Sequence, residues 1–410
     1  MDDRANVTWP PEGPTRVPYA LYQSADIYEA ERERIFLGTS WNYLCLEAEL
    51  PNPGDWRATH VGDVPVVVAR DLDGTLGAFE NRCAHRGALI CPKLSGNGAR
   101  LSCVYHGWTY DLKGNLTAVT FERGVKGQGG MPADFRREQW KRRALKVECF
   151  QGLVFGSFAA DAPPLEAYLG PAIAQRIARV MRGKAKVLGY NSQILPNNWK
   201  MYICNVRDPY HASLLHLFFT TFRLNRLSAE GGIVIDETGG HHVSYSKMAT
   251  DAPNADYEAA DIRAKHDRFR LADPSLITGT DEFGDGVTLQ ILSVFPAFIL
   301  QQIQNSLCAR QVVPRGRDET ELLWTYFGFE DDDAAMTEQR VKQANLVGPG
   351  GYISLEDGAV GTFVRRGIVA AGDDNELLEM GGREWRSQDT RATESPLRGF
   401  WKVYREHMRF

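Results

Sequence analysis

No apolar run reaches the length of about eighteen residues that a membrane-spanning helix needs, so the 410-residue chain is expected to lie outside the membrane. Cysteine is scarce: seven residues, an odd number, at Cys45, Cys83, Cys91, Cys103, Cys149, Cys204 and Cys308. So thin a set builds no disulfide framework and suits a reducing compartment, which makes a cytoplasmic location the expectation. A strong charge of either sign is missing too. A net charge of −5 leaves no electrostatic footprint for nucleic acid or an anionic membrane surface. Met1-Asp2-Asp3-Arg4 shows none of the marks of a signal peptide, and the chain has no internal repeat or low-complexity tract. What remains is 43% hydrophobic and 24% charged, the balance of a globular protein, and the length calls for two domains.

Against that background Cys83-Ala-His85 and Cys103-Val-Tyr-His106 stand out. Two short loops, each offering one thiolate and one imidazole, make a four-donor set for a soft or borderline metal. Two thiolates and two neutral imidazoles on a [2Fe–2S] centre are the Rieske arrangement, whose imidazoles raise the reduction potential. Structural zinc takes the same ligand types, but zinc fingers pair Cys with Cys and His with His. Gly87 and Gly107 follow the two His residues, as tight loops around a cluster require. The glycines of 124–130 make no phosphate cradle, because no helical pattern follows them.

The organisation around these loops reads as α+β. Residues 1–40 hold one helix, N-capped by Ser24, and are assigned to the catalytic domain. Residues 41–158 read as an all-β domain around the two loops, with strands joined at Asp73-Gly74. Residues 159–410 form the second domain. Helices are expected over 165–181, 196–219, 337–346 and 395–408. Strands are expected over 232–236, 242–247, 287–295, 298–308 and 321–329. Together these give a large antiparallel sheet flanked by helices, of helix-grip type.

Inside the expected long helix lies Asn205-Val-Arg-Asp208-Pro-Tyr-His211-Ala-Ser-Leu-Leu-His216. His211 and His216 would stand about 140° apart on an ideal helix, so shared ligation needs a distortion such as a π-bulge, with Pro209 its source. Two His and one carboxylate form the facial triad of non-haem Fe(II) oxygenases. Asp357 is the expected third ligand and Glu356 its rival. His60, His266 and His407 read as surface groups, His241-His242 as a strand start with a secondary claim to a substrate contact, and Cys204 as a buried thiol.

With both sites placed, the chain resembles the large (α) subunits of Rieske aromatic-ring-hydroxylating dioxygenases over essentially its whole length. Within that family it resembles the terephthalate 1,2-dioxygenase type first and the salicylate 5-hydroxylase type next. The nearer likeness lies in Asn42-Tyr-Leu-Cys-Leu-Glu, Phe79-Glu-Asn-Arg-Cys-Ala-His-Arg-Gly-Ala-Leu, Gly239-Gly-His-His-Val-Ser-Tyr-Ser and Arg391-Ala-Thr-Glu. The resemblance implies an inner iron on Cys83 and Cys103, an outer iron on His85 and His106, and a mononuclear Fe(II) on His211, His216 and Asp357. It implies that Asp208 bridges electrons between His106 of one subunit and His211 of the next, in a head-to-tail trimer. A small β subunit (α3β3), an NAD(P)H-dependent reductase and O2 are the implied partners. The implied substrate is an aromatic carboxylate, terephthalate, clamped by Arg391 with Ser244 as a hydroxyl contact. The family usually carries Glu-Asn where this chain has Cys204-Asn205. Monohydroxylation of salicylate, or dioxygenation of another aromatic carboxylate, is the competing reading. An electron-transfer protein without oxygenase activity is the more remote one.

Overall fold

The computed structural model describes residues 7–247, 255–262 and 269–410. The chain divides into two compact units: Phe36–Leu165, and Met1–Ile35 together with Glu166–Phe410.

In the first unit the β-branched run of Val64–Arg70 forms a central strand, and Val66, Val67, Val68 and Ala69 are all buried. It belongs to a seven-stranded antiparallel sheet in the order Asn42–Leu46, Leu153–Ser157, Ala144–Phe150, Leu76–Glu80, Val64–Arg70, Asp55–Val61, Ser95–Asn97. The turn at Asp73-Gly74 closes as its residues suggest. Asp73 Oδ1 accepts from Thr75 N at 2.9 Å, and Gly74 N–H donates to Asp71 O at 2.9 Å. A small sheet of Leu101–Ser102, Thr109–Tyr110 and Leu116–Ala118 carries the second metal loop. Cys83 and Cys103 sit in the same core cluster as Trp56, Phe79, Trp108 and Tyr110.

The second unit is built on a seven-stranded antiparallel sheet. Its order is Ala185–Leu195, Thr320–Phe329, Ser306–Pro314, Phe298–Ile303, Val287–Val294, His242–Lys247, Gly231–Ile235. The strand expected over 298–308 is in fact two strands of a hairpin. Ile303 pairs with Ser306, and Gln304 at φ +54° starts the two-residue turn. The apolar run continues through a Gln-Asn turn that lacks the usual glycine, which hid the break. Ala185–Leu195, an edge strand, went unread for lack of a buried face.

Helices Trp199–Arg207, Ala334–Val347, Tyr352–Ile368 and Ser395–Met408 pack on this sheet, completing an α+β architecture. Ser24 caps Ala25–Glu31, accepting from Ile27 N at 3.3 Å. The helix expected over 196–219 is three pieces: Trp199–Arg207, Ala212–Leu215 and Leu217–Thr221. Pro209 disfavours the helical conformation at Asp208, which leaves the helix at φ −91°, ψ 99°. The distortion is thus a break rather than a π-bulge. Among the described residues no helix is long and apolar enough to cross a membrane.

Candidate metal centres

The two Cys–His loops fold alike. Cys83 N–H donates to Ala88 O at 2.8 Å and Gly87 N–H returns to Cys83 O at 3.0 Å. In the second loop Cys103 N–H donates to Trp108 O at 2.9 Å and Gly107 N–H returns to Cys103 O at 2.9 Å. Each return needs a left-handed residue, and φ is +78° at Gly87 and +67° at Gly107. Both thiols are buried while both imidazoles are exposed, with His85 Nδ1 3.1 Å from His106 Nδ1. Cys83 and Cys103 lie within hydrogen-bond reach of each other, and Cys83 Sγ is 3.4 Å from Tyr110 OH. Desolvation, then the facing His106 and the adjacent Arg86, push the His85 pKa down, keeping the ring neutral as ligation requires. Two sulfurs inside and two nitrogens outside fit a [2Fe–2S] centre held by unlike ligand pairs.

The broken helix builds the second centre. His211 immediately precedes Ala212–Leu215 and His216 follows it, so each imidazole leaves from a helix boundary and the 140° offset no longer applies. Asp357 comes from Tyr352–Ile368. Its Oδ1 lies 3.4 Å from His211 Nε2 and 3.3 Å from His216 Nε2, and one ligand atom from each residue falls within 4.8 Å of the others. Asn205 Nδ2 donates to Asp357 Oδ1 at 3.2 Å.

Partners behind the imidazoles set which nitrogen faces the centre. Glu356 Oε2 is 2.8 Å from His216 Nδ1, and Asp208 Oδ2 is 3.3 Å from His211 Nδ1. Glu356, the rival third ligand, therefore lies behind His216 instead. Burial works against charge on His211, but the Asp208 and Asp357 carboxylates outweigh it and raise its pKa to about 10. The His216 pKa is also raised, burial being outweighed chiefly by Asp357. A site that draws in positive charge, with two imidazoles and one carboxylate on one side, fits a divalent iron with open positions.

Beside the triad lies a partly open cavity. Its sheet wall carries Ser244, Ile291 and Gln301, paired in register across three adjacent strands. Arg391 enters from the segment before Ser395–Met408. It is buried, donates to Asn225 Oδ1 and Arg226 O, and among the described residues leaves Nε unbonded. Burial lowers its pKa to about 10. Sequence reasoning missed a second guanidinium in the same wall. Arg310 on Ser306–Pro314 is buried, donates to Tyr202 OH at 2.6 Å, and lies over the Trp324 ring at 4.6 Å. Among the described residues neither Arg391 nor Arg310 pairs with a carboxylate. Arg310 lies beyond the strands expected from the sequence and next to Gln311, so no local signal marked it.

The remaining candidates sort as follows. His241 accepts from Phe295 N at 3.0 Å through Nδ1 and bonds Tyr168 O at 2.9 Å through Nε2, so it braces the fold. His242 is fully buried, and neither residue lines the cavity. His407 is half-buried and stacks on Phe295 at 5.1 Å, because it points inward from the last helix; His60 is also half-buried. His266 lies outside the described residues. Cys204 is half-buried, outside the triad and close to Tyr22, whose OH donates to Glu376 Oε1 at 2.7 Å.

Comparison with known proteins agrees with this geometry. Residues 40–127 match the model of the Rieske [2Fe-2S] domain, and residues 175–409 match that of the ring hydroxylating alpha subunit (catalytic domain). The chain is 55% identical to the terephthalate 1,2-dioxygenase terminal oxygenase component subunit alpha 2 of a Comamonas species, covering 98% of this chain and 97% of that one. It is 44% identical to the anthranilate 1,2-dioxygenase large subunit of Burkholderia cepacia, over 99% and 96%. The fold superposes on naphthalene 1,2-dioxygenase of a Rhodococcus species with a TM-score of 0.79 at 23% identity, covering 96% and 94%. With a Rieske domain, a mononuclear iron triad and this likeness along nearly its full length, the chain belongs to the large subunits of Rieske ring-hydroxylating dioxygenases.

Proposed function

We propose that this chain is the large subunit of an oxygenase that adds both atoms of O2 to the ring of terephthalate, giving the 1,2-dihydrodiol dicarboxylate. Two electrons and two protons complete the balance, the electrons coming from NAD(P)H through a separate reductase. Working with a small β subunit as α3β3 in the cytoplasm accords with the family. The observation that carries the substrate is the pair of buried guanidiniums, Arg391 and Arg310, in the cavity beside the triad. A buried cation without an anion is costly, and a buried carboxylate without a cation equally so. Two such cations suit a substrate that brings two carboxylates, and guanidinium holds each through a two-pronged contact.

Bound at the triad, iron would supply O2 activation and accept the electrons that reach it. The chain's own residues do the rest. Arg391 and Arg310 bind and orient the ring, Ser244 offers a hydroxyl, and Leu289, Ile291 and Ile303 exclude water from its faces. Asp208, which lies behind His211, links that imidazole to a neighbouring subunit's cluster. Asn205 and Glu356 hold the ligands in place.

The deciding experiment is turnover with purified reductase across benzoate, salicylate, the three phthalate isomers and terephthalate, with product identified by mass. Terephthalate should be turned over with the highest kcat/KM and yield a dihydrodiol heavier by two oxygens and two hydrogens. Preferred oxidation of salicylate, with one oxygen added, would replace this reading with the monohydroxylase one.

A further inference from the structure

A line of aromatic rings runs from the cluster site to the surface. His85 stacks on Trp108 at 4.8 Å with the planes 6° apart. Trp108 meets Phe135 edge-on at 6.1 Å, and Phe135 stacks with Trp140 at 6.5 Å and 17°. Every step lies within the usual contact range of aromatic pairs. The line begins at an imidazole assigned to the outer, redox-active iron. It ends on a tryptophan that is 43% exposed, an unusual place for so large an apolar ring.

The rim around Trp140 is basic in a chain that is net acidic. Arg123, Lys126, Arg136 and Lys141 are exposed and hold no ion pair among the described residues. Asp134 and Glu138 are the acids of the same segment. Arg123 and Lys126 belong to the glycine-rich 124–130 region and its flank. That loop is tied to this segment by Met131 N–H donating to Glu122 O at 2.8 Å and by the Arg137–Glu122 ion pair. A phosphate cradle was excluded for this loop, and a place in a charged rim accounts for its cations.

We propose that the face around Trp140 is the docking surface for the electron donor, an acidic one-electron carrier protein. Trp140, Phe135 and Trp108 then form the route by which its electron reaches the cluster through His85. The basic rim steers an acidic partner onto the exposed ring, and packed rings shorten the through-space gap over which an electron must tunnel. One electron leaves the donor, which is oxidised, and one enters the Rieske centre, which is reduced. The downhill direction follows from the higher potential that imidazole ligation confers. The inference rests on the reading that a separate protein feeds the cluster.

The test uses the cluster-loaded protein, oxidised and anaerobic, mixed rapidly with reduced plant-type [2Fe–2S] ferredoxin or, in a parallel arm, with dithionite, while bleaching of the Rieske absorption is followed. The wild-type rate with ferredoxin should fall as salt is raised. Trp140→Leu, and separately the pair Arg136→Glu with Lys141→Glu, should each slow that rate about tenfold or more. Trp140→Phe should restore most of it. The visible spectrum and the dithionite rate should match wild type throughout. Variants that accept electrons from ferredoxin as fast as wild type would overturn the proposal. A wild-type protein that dithionite fails to bleach would overturn the reading that the two loops hold a reducible Rieske centre, and the route with it.

Discussion

Arg391 and Arg310 show how far a single side chain can carry a substrate assignment. Each loses water on burial and receives no carboxylate in return among the described residues, so each stores a demand for an anion. Arg391→Ala should raise the KM for terephthalate about 10- to 100-fold, the value of a charge-assisted contact, while the Rieske absorption is unchanged. Arg310→Ala should do the same for terephthalate and far less for benzoate, which steady-state kinetics on both substrates will show. Glu376 makes a different prediction. Burial raises its pKa from the ordinary 4.5 to about 7, opposed only in part by the Tyr22 hydroxyl. Its contribution to stability is therefore fully present below about pH 4.5 and is lost as pH rises through 7. Thermal melts of Glu376→Gln should drift less than wild type across that window, by on the order of 1 kcal/mol. Cys204 makes this carboxyl notable: the chain keeps a Glu close to that thiol and delivers it from the strand Asn375–Leu377.

At the scale of elements, the break at Asp208-Pro209 matters more than any helix around it. Asp208 Oδ1 accepts from Tyr210 N at 2.8 Å and His211 N at 3.3 Å, so the residue that ends one helix also shapes the start of the next. Pro209→Ala should let Trp199–Arg207 extend and turn His211 away from Asp357. Iron analysis should then fall from about three per chain toward two, with the cluster spectrum retained. What could be read in advance follows the same logic. The metal loops, the triad and the strand His242–Lys247 were legible because ligand spacing and alternation are local signals. Tyr352–Ile368 was not, although it carries Asp357, because Gly358, Gly361 and Gly367 lower its helix propensity and packing alone restores it. Ser306–Pro314, buried at every position, hid Arg310 for a related reason: a strand without alternation has no face on which a cation looks out of place.

For the whole molecule, the proposed head-to-tail assembly yields a sharp expectation. Chains carrying Cys103→Ser lack a complete cluster but keep the triad; chains carrying His216→Ala keep the cluster but lack the triad. Each alone should be inactive. Co-assembled, they should recover part of the wild-type rate if electrons cross between subunits, and none if each chain serves only itself; turnover of mixed preparations distinguishes the two. The two metal loops add a last consequence. They match in backbone, yet a Cβ at Gly107 would come within 2.4 Å of Thr120 Oγ1, whereas one at Gly87 meets nothing within 4 Å. One side of the clasp is wedged and the other is free. Sequence drift should therefore be tolerated first at residue 87, where an asparagine can adopt the left-handed turn, while a side chain at residue 107 must also displace the Thr120 hydroxyl.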